Sequence, residues 1–263
     1  MTISFCDSNL VCLENSFYSE IPKLIDWTLK NRLTINFDKT FYLLFTTRNV
    51  DFPQLILNNI VIPRKTEGRF LGVIIDEKLK FNSHTKFISN KISKSIGILY
   101  RLKNYLPVSN LRTLYFAFVN PYFIYCNLVW GGTYYTHLDH LVKLQKRAVR
   151  IINKAGYLDH TTNLFHSNFI LKLPDIHKFH LAMYVFKLDD ISTFSATHNY
   201  NTRNRNNLVP TFSCLTLTQF SLNYSAIIFW NSLPNEIKLS RSLSSFKNKV
   251  KIHLIEQYNL YNA

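Results

Sequence analysis

The chain has 263 residues, with 31 Lys and Arg against 16 Asp and Glu, and its formal net charge is +15 at pH 7. Hydrophobic residues make up 47% and aromatic residues 15%, with only 6 Gly and 8 Pro, so the composition is globular and excludes collagen-like or linker-like sequences. The excess of cations predicts a polyanionic partner, for which nucleic acid and an anionic membrane face are both suitable, although a merely solvated basic surface would have the same composition.

Cysteine usage and the N-terminal sequence indicate an intracellular protein. The cysteines lie far apart and include no Cys-x-x-Cys pair, as is typical of a reduced chain without a zinc or redox site. The first residues include acids where a signal peptide would have basic and apolar regions, so we expect a nuclear or cytoplasmic protein that is not secreted. The longest apolar run, residues 114–130, is interrupted by Asn and Pro and is interpreted as buried helix rather than a membrane span.

The first third of the chain combines one helix with short strands. Apolar residues recur at helical spacing from Ser16 to Lys30. Residues 41–47, FYLLFTT, are typical of a strand, and further strands are predicted at 55–62, with a turn at Asn58–Asn59, and at 69–76, RFLGVIID. Together these patterns predict a helix on a small antiparallel sheet.

Helical patterns dominate after residue 76, so the predicted fold class is α+β and mostly helical. A helix capped by Asn82 or Ser83 is expected to run to about residue 105, and a second opens near Pro107, with Pro121 kinking or restarting it. The remaining predictions, by residue range, are a helix at 136–154, a helix at 173–188, an irregular connection at 195–213, a strand or buried segment at 220–237, and a basic amphipathic helix at 242–258.

The helix at 136–154 has the strongest binding signal, because five cations share one of its faces and apolar residues share the opposite face. No acid interrupts these cations, so the pattern predicts a strip that faces phosphates, with a solvated face as the alternative. Nearby tyrosines are either stacking residues or core residues. The five cations are Lys143, Lys146, Arg147, Arg150 and Lys154.

The sequence contains only weak signals for catalytic or metal-binding residues. The pair Asp189–Asp190 follows a helical pattern and is interpreted as a solvated helix end rather than a two-metal site. The histidine pairs His137/His140 and His177/His180 have a spacing of three but no evident third ligand. The sequence therefore predicts no catalytic residue, no metal site and no cofactor in this chain.

Six blocks follow one another along the chain: WTLKNRLTINFDKTFYLLF, RFLGVIIDEKLKFNSH, ISKSIGILYRL, LYFAFVNPYFIYCNLVWG, LDHLVKLQKRAVRII, and FWNSLPNEI with SFKNKVK. In this order they resemble the reverse transcriptases of non-LTR (LINE-type) retrotransposons, downstream of the catalytic Asp-Asp motif. The resemblance implies a palm remnant over residues 1–78, a helical thumb-like domain over 79–155 and the polymerase's C-terminal region over 156–263.

The resemblance also implies roles for individual residues. It places Lys39 in motif D, near the incoming triphosphate, although a simple turn cation is the alternative. It assigns a hairpin that grips the primer end to Phe70, Leu71, Gly72 and Val73, of which Leu71 and Val73 are expected to be core strand residues in any case. Basic faces of the thumb would follow the backbone of an RNA–DNA hybrid. Besides the five cations above, these faces include Lys91, Lys94 and Arg101.

The family's catalytic Asp-Asp turn lies before the segment that this sequence matches. We therefore expect the chain alone to bind an RNA template and DNA primer without extending the primer, with Mg2+ needed only in the intact polymerase and an upstream polymerase portion as a possible partner. The alternative is a host-recruited, non-catalytic module for nucleic-acid binding or interaction. A third hypothesis is that the palm remnant does not fold stably, because its sheet has an unpaired edge.

Overall fold

The computed structural model describes residues 2–46, 48, 50–57, 59–188, 207–210 and 214–260. The chain divides into two compact units, one ending at Leu79 and the other beginning at Lys80. Short antiparallel strands and many helices confirm the predicted mostly helical α+β class. None of the helices in the described part of the chain has the length and apolar character needed to cross a membrane. The domain boundary predicted between residues 155 and 156 stays a prediction.

The first unit begins with helix α1, Leu10–Lys30, which starts six residues before the predicted position. Its N-cap is Asn9, whose side chain accepts the backbone N–H of Val11 at 2.9 Å. Helix α1 buries Ile21 against a small core that includes Leu55, Leu57 and Ile62. This unit therefore has a core of its own, made by the helix and the first hairpin.

The strands of this unit form two separate hairpins instead of one sheet. Strands β1, Ile56–Leu57, and β2, Ile60–Val61, pair as predicted, and β3, Glu67–Phe70, pairs with β4, Val73–Asp76. The strand predicted at residues 41–47 is wrong, because residues 41–46 make a single bridge, at which the backbone N–H of Tyr42 donates to the Pro63 carbonyl at 3.1 Å. Pro63 has no N–H of its own, so the pairing cannot continue past the bridge toward Thr40.

Helices make up the described part of the second unit. In chain order they are α2 Asn82–Leu102, α3 Val108–Phe118, α4 Asn120–Ile124, α5 Asn127–Trp130, α6 Tyr135–Ile152, α7 Thr162–Ser167, α8 Leu173–Phe186, α9 Thr216–Gln219, α10 Leu222–Ser232, α11 Asn235–Lys238 and α12 Leu243–Leu260.

Most predicted helices are confirmed; the structure corrects one helix cap and decides between two pairs of alternatives. The N-cap of α2 is Phe81, in the left-handed conformation, and neither Asn82 nor Ser83 caps it. Pro121 restarts the chain as α4 rather than kinking α3. The strand alternative at 220–237 is wrong, since α10 and α11 occupy it; a short apolar run does not by itself distinguish a buried helix from a strand. The predicted connection at 195–213 lies mostly outside the described residues.

Helices α2 and α6 pack against each other and form the centre of the second unit. Each presents one apolar stripe, and burial of such stripes is the main stabilising contribution to helix packing. The buried apolar residues of α2 are Ile88, Ile92, Ile96 and Leu99, and those of α6 include Leu141, Leu144, Ala148 and Ile152. The opposite face of α6 is mostly polar and charged, whereas that of α2 combines cations with the exposed side chains of Ile98 and Tyr100.

A buried glutamine fixes the contacts of α6 with its neighbours. Gln145 is 1% exposed, and its Nε2 donates to the Tyr115 hydroxyl at 3.1 Å and to the Leu171 carbonyl at 2.9 Å. Its Oε1 accepts the backbone N–H of Leu173 at 2.8 Å. One side chain of α6 thus bonds both α3 and the start of α8, and its amide groups are satisfied within the core.

Candidate nucleic-acid interface

Lys39 ends a short 3-10 turn, Phe37–Lys39, that Asn36 caps. Oδ1 of Asn36 accepts the backbone N–H of Lys39 at 3.2 Å, and the Thr40 hydroxyl donates to the Asn36 carbonyl at 2.7 Å. The ammonium of Lys39 is exposed and forms no ion pair with any residue that the structure describes. Asn36 therefore builds a turn that presents a free cation, while the triphosphate role of Lys39 stays a prediction.

The residues expected to grip a primer lie at the tip of the β3–β4 hairpin. Leu71 and Gly72 form a two-residue turn with φ values of 45° and 83°, the backbone that tight hairpins require. Val73 is buried at 4% exposure, as predicted, but Leu71 is 72% exposed, so its assignment to the core is wrong. Phe70 is also exposed, at 45%. The hairpin thus presents two apolar side chains at its tip.

The segment that follows Lys39 packs on the β3–β4 hairpin. A Cβ placed on Gly68 of β3 would lie 2.5 Å from the Phe41 ring and 3.3 Å from Leu43, so any larger residue would displace the Phe41 ring. The ammonium of Lys65 lies 4.4 Å from the centre of the same Phe41 ring. The lysine turn and the hairpin, which the sequence could relate only through the resemblance, are therefore packed together in the first unit.

The cations of α2 lie on its exposed side. Lys91, Lys94 and Arg101 are exposed, and their spacing of three and seven residues keeps them on one face, away from the buried isoleucines. Helix α2 itself contains no Asp or Glu. Within the described chain these cations have no carboxylate partner, and Lys91 lies 5.7 Å from the Phe87 ring.

The cations of the strip predicted on α6 differ in whether they have an acidic partner. Lys146 and Arg147 are exposed opposite the buried stripe. Lys143, in contrast, pairs with Asp139 at 2.6 Å, and this hydrogen bond and charge raise the pKa of Lys143. No acid lies between the five cations, but Asp139 stands one turn before Lys143 on the same face and pairs with it, so the first cation of the strip is already neutralised.

The last two cations of the strip, Arg150 and Lys154, lie next to or within the loop that follows α6. Nε of Arg150 donates to the Asp159 carbonyl at 2.9 Å, which holds the guanidinium over that loop. Lys154 lies beyond the end of α6, in a left-handed conformation with φ of 55°, and its side chain is exposed. Arg150 thus binds the loop through Nε and keeps its terminal nitrogens as further hydrogen-bond donors. Lys154 is a solvent-exposed cation outside the helix.

The stretch between Glu77 and Asp159, which contains α2 and α6, has a larger excess of cations than the strip on α6 alone indicated. Between Glu77 and Asp159 the chain contains a single acid, Asp139, with eight Lys or Arg before it and five after it. This depletion of acid is visible in the sequence and is a stronger signal than any one helical face. Both α2 and α6, which pack against each other in the second unit, are therefore strongly basic.

The candidate metal ligands form no centre. No group of three or more His, Cys, Asp or Glu side chains in the described ranges could hold a metal ion, and Asp189–Asp190 lie outside those ranges. Nδ1 of His177 lies 3.2 Å from the Asn127 carbonyl and 3.1 Å from its side-chain oxygen, and burial lowers the pKa of His177 to about 4. Nδ1 of His137 lies 3.0 Å from the Lys80 carbonyl. These two histidines hold backbone segments together.

Comparison with known proteins confirms the resemblance to RNA-directed DNA polymerases of non-LTR retrotransposons. The chain is 24% identical over 142 residues to the probable RNA-directed DNA polymerase from transposon X-element of Drosophila melanogaster, and 28% identical over 154 residues to that from mobile element jockey of Drosophila funebris. It is 25% identical over 149 residues to the probable RNA-directed DNA polymerase from transposon BS of D. melanogaster.

These matches cover 53–57% of this chain but only 16% of each of the three relatives. The chain therefore aligns with about a sixth of the length of these polymerases. No family model and no solved structure matches it.

Proposed function

We propose that this chain is a nucleic-acid-binding part of a retrotransposon RNA-directed DNA polymerase, which contacts an RNA–DNA template–primer duplex through the basic faces of α2 and α6. The observation that carries the proposal is the region between Glu77 and Asp159, with thirteen cations and one acid. Most of its helical cations lie on faces opposite the buried stripes, where a phosphate backbone could reach them.

The chemistry of such a surface is electrostatic and independent of base sequence. Each Lys or Arg that neutralises a phosphate releases condensed counterions, so affinity falls steeply with salt. The exposed cations Lys91, Lys94, Arg101, Lys146 and Arg147 are free to make such contacts. Lys143 contributes less because Asp139 already pairs with it.

Two features of the first unit support a place beside the primer end. The turn at Lys39 presents a cation without an acidic partner in the described chain, and the nearby hairpin presents Phe70 and Leu71. In the intact polymerase, Lys39 would approach the leaving phosphates and the hairpin would contact the primer. Both roles rest on the resemblance together with the packing of Phe41 on Gly68.

We further propose that this chain alone does not extend primers. The support is the resemblance, because the matched blocks are those that follow the family's Asp-Asp turn. Phosphoryl transfer of this kind depends on carboxylates that hold two Mg2+ ions against the triphosphate, and a lysine cannot replace them. Incubation with template–primer, deoxynucleotides and Mg2+ or Mn2+ should yield no extended product, and robust extension would contradict this proposal.

Duplex binding is tested by fluorescence anisotropy with a labelled RNA–DNA hybrid at several salt concentrations. The double variant Lys94→Gln/Arg147→Gln removes one cation from each helix face, and we expect the slope of log K against log salt to decrease by about 2. The matched control is Lys187→Gln/Lys247→Gln, which removes two exposed cations elsewhere in the second unit. Equal slopes for the two double variants, or no binding by the wild type, would contradict the proposal.

A further inference from the structure

A cavity of about 410 Å³ lies beside α6, within the second unit. Its wall is formed by α6, by the loop of residues 158–161, by the first residues of α7 and by the start of α8. This volume is within the range of about 300–1,000 Å³ that is common for small-molecule sites. The cavity is therefore large enough for a phosphate and the sugar attached to it.

Three cations line this cavity: Lys146, Arg150 and Lys172. Two come from α6 and the third is the N-cap residue of α8, so the fold brings together charges that are distant in sequence. Burial lowers the pKa of Lys172, and the nearby positive charge of Lys146 lowers it further, against an opposing effect of Asp175. Because all three cations line one cavity, an anion bound there would be attracted to each of them.

The carboxylates near the cavity are already bonded elsewhere. Asp159 is the one acid among the lining residues, and its Oδ2 accepts the backbone N–H of Gly156 at 2.7 Å. Asp175, which faces Lys172, accepts the Tyr258 hydroxyl at 2.7 Å and pairs with Lys178 at 3.1 Å. The cavity lining consequently has an excess of positive charge.

A buried hydroxyl provides a second and independent observation. Thr161 lines the cavity and is only 7% exposed, yet its hydroxyl has no hydrogen-bond partner among the described residues. Burial of an unpaired hydroxyl is unfavourable, so an acceptor bound in the cavity would remove this cost. The terminal nitrogens of Arg150 also donate to no described residue, since its hydrogen bond to the Asp159 carbonyl uses Nε.

We propose that this cavity binds one phosphate group of the nucleic-acid strand that the chain contacts. Lys146, Arg150 and Lys172 neutralise the phosphate, and the Thr161 hydroxyl donates a hydrogen bond to one of its oxygens. This inference rests on the proposed function, and it assigns to the basic surface one defined point at which a strand is held. Lys172 and Thr161 carry no signal in the sequence, because only the fold places them beside α6.

The first experiment measures binding of the labelled RNA–DNA hybrid to single variants of the full chain. Lys172→Gln should weaken binding by roughly tenfold and reduce the salt slope by about 1. Lys187→Gln, an exposed cation outside the cavity, is the matched control and should stay within about twofold of the wild type. Thr161→Val should weaken binding by roughly threefold to tenfold, whereas Thr161→Ser, which keeps the hydroxyl, should restore it.

Thermal unfolding followed by circular dichroism establishes that each variant is folded. The second experiment titrates the wild type and Lys172→Gln with inorganic phosphate and with adenosine monophosphate, observed as ³¹P line broadening. Broadening that is present in the wild type and lost in Lys172→Gln would support the pocket independently of strand binding. If the free phosphates bind and the hybrid does not depend on Lys172, the pocket belongs to a free phosphate and the proposal for a strand is overturned.

Different results would contradict the proposed function and the phosphate-binding cavity. If Lys94→Gln/Arg147→Gln weakens hybrid binding but Lys172→Gln and Thr161→Val bind as Lys187→Gln does, the pocket is wrong and the proposed function stands. If the wild type does not bind the hybrid at all, the proposed function fails, and the pocket fails with it as a site for a strand.

Discussion

The phenol of Tyr258 donates a hydrogen bond to Oδ2 of Asp175 over 2.7 Å, and this bond joins α12 to the first turn of α8. The same phenol oxygen accepts the backbone N–H of Lys172 at 2.9 Å. Both side chains are buried, with 4% of Tyr258 and 8% of Asp175 exposed. Burial raises the pKa of Tyr258, and the charge of Asp175 raises it further, so the phenol stays a donor at neutral pH.

Removal of this hydroxyl should destabilise the second unit. In Tyr258→Phe, the Asp175 carboxylate and the Lys172 N–H both lose a buried partner, and we expect the free energy of unfolding to fall by about 1–3 kcal/mol. Urea unfolding at pH 7 measures the change. The control is Tyr184→Phe, which removes an exposed bond to Asn223 and should change stability by less than about 0.5 kcal/mol. Equal effects of the two substitutions would contradict this assignment.

Stability should fall in mild acid because of His177. Its pKa is lowered by burial to about 4 in the folded chain, against about 6.5 when unfolded. The unfolded state therefore takes up a proton first, and stability is lost as the pH falls from about 6.5 to about 4, by up to about 3 kcal/mol. Urea unfolding at pH 7.5, 5.5 and 4.5 should show a shallower pH dependence in His177→Gln than in the wild type. Parallel curves would exclude His177 as the cause.

Two glycines of the second unit should respond oppositely to alanine. A Cβ on Gly131 would lie 2.6 Å from the Asn127 carbonyl, so the backbone must shift, and we expect Gly131→Ala to destabilise by more than about 2 kcal/mol. Gly97, inside α2, has nothing within 4 Å of that position, and Gly97→Ala should stabilise by about 0.5–1 kcal/mol. Chemical denaturation compares the two, and a loss of stability in both would contradict the prediction for Gly97.

Asn36, and not Lys39, should maintain the turn in the first unit. Asn36→Ala removes the side chain that accepts the Lys39 N–H, at a cost of about 1 kcal/mol, so the amides of Lys39 and Thr40 should exchange about fivefold faster with deuterium. Lys39→Ala removes only an exposed ammonium and should leave these exchange rates unchanged. Faster exchange in Lys39→Ala would show that the lysine is itself structural.

Helical periodicity predicted the long amphipathic elements of this chain, because α2 and α6 each bury a single stripe. Periodicity failed at residues 220–237, where the apolar residues have no regular spacing. It also failed at residues 41–46, where strand formation depends on pairing with a distant segment. In the second case residues 41–46 make one bridge, between Tyr42 and Arg64, although their local sequence favours a strand.

On the binding surface, too, the sequence predicts contacts within one helix but not contacts between distant segments. The pairing of Asp139 with Lys143 was available from the sequence, as an i, i+4 pair on one helix. The contact between Arg150 and Asp159, and the approach of Lys172 to Lys146, depend on how the loop and α8 return to α6. No helical pattern contains that information.

Gln145 sits between Lys143 and Lys146 in the sequence but points into the core, where it bonds Tyr115, Leu171 and Leu173. These three bonds fix the rotation of α6 about its own axis. Since successive residues of a helix are about 100° apart, a small rotation would redirect every cation on the helix. The direction of the positive charge is therefore determined by an uncharged side chain that solvent does not reach, and substitution of Gln145 would alter electrostatic recognition without removing any charge.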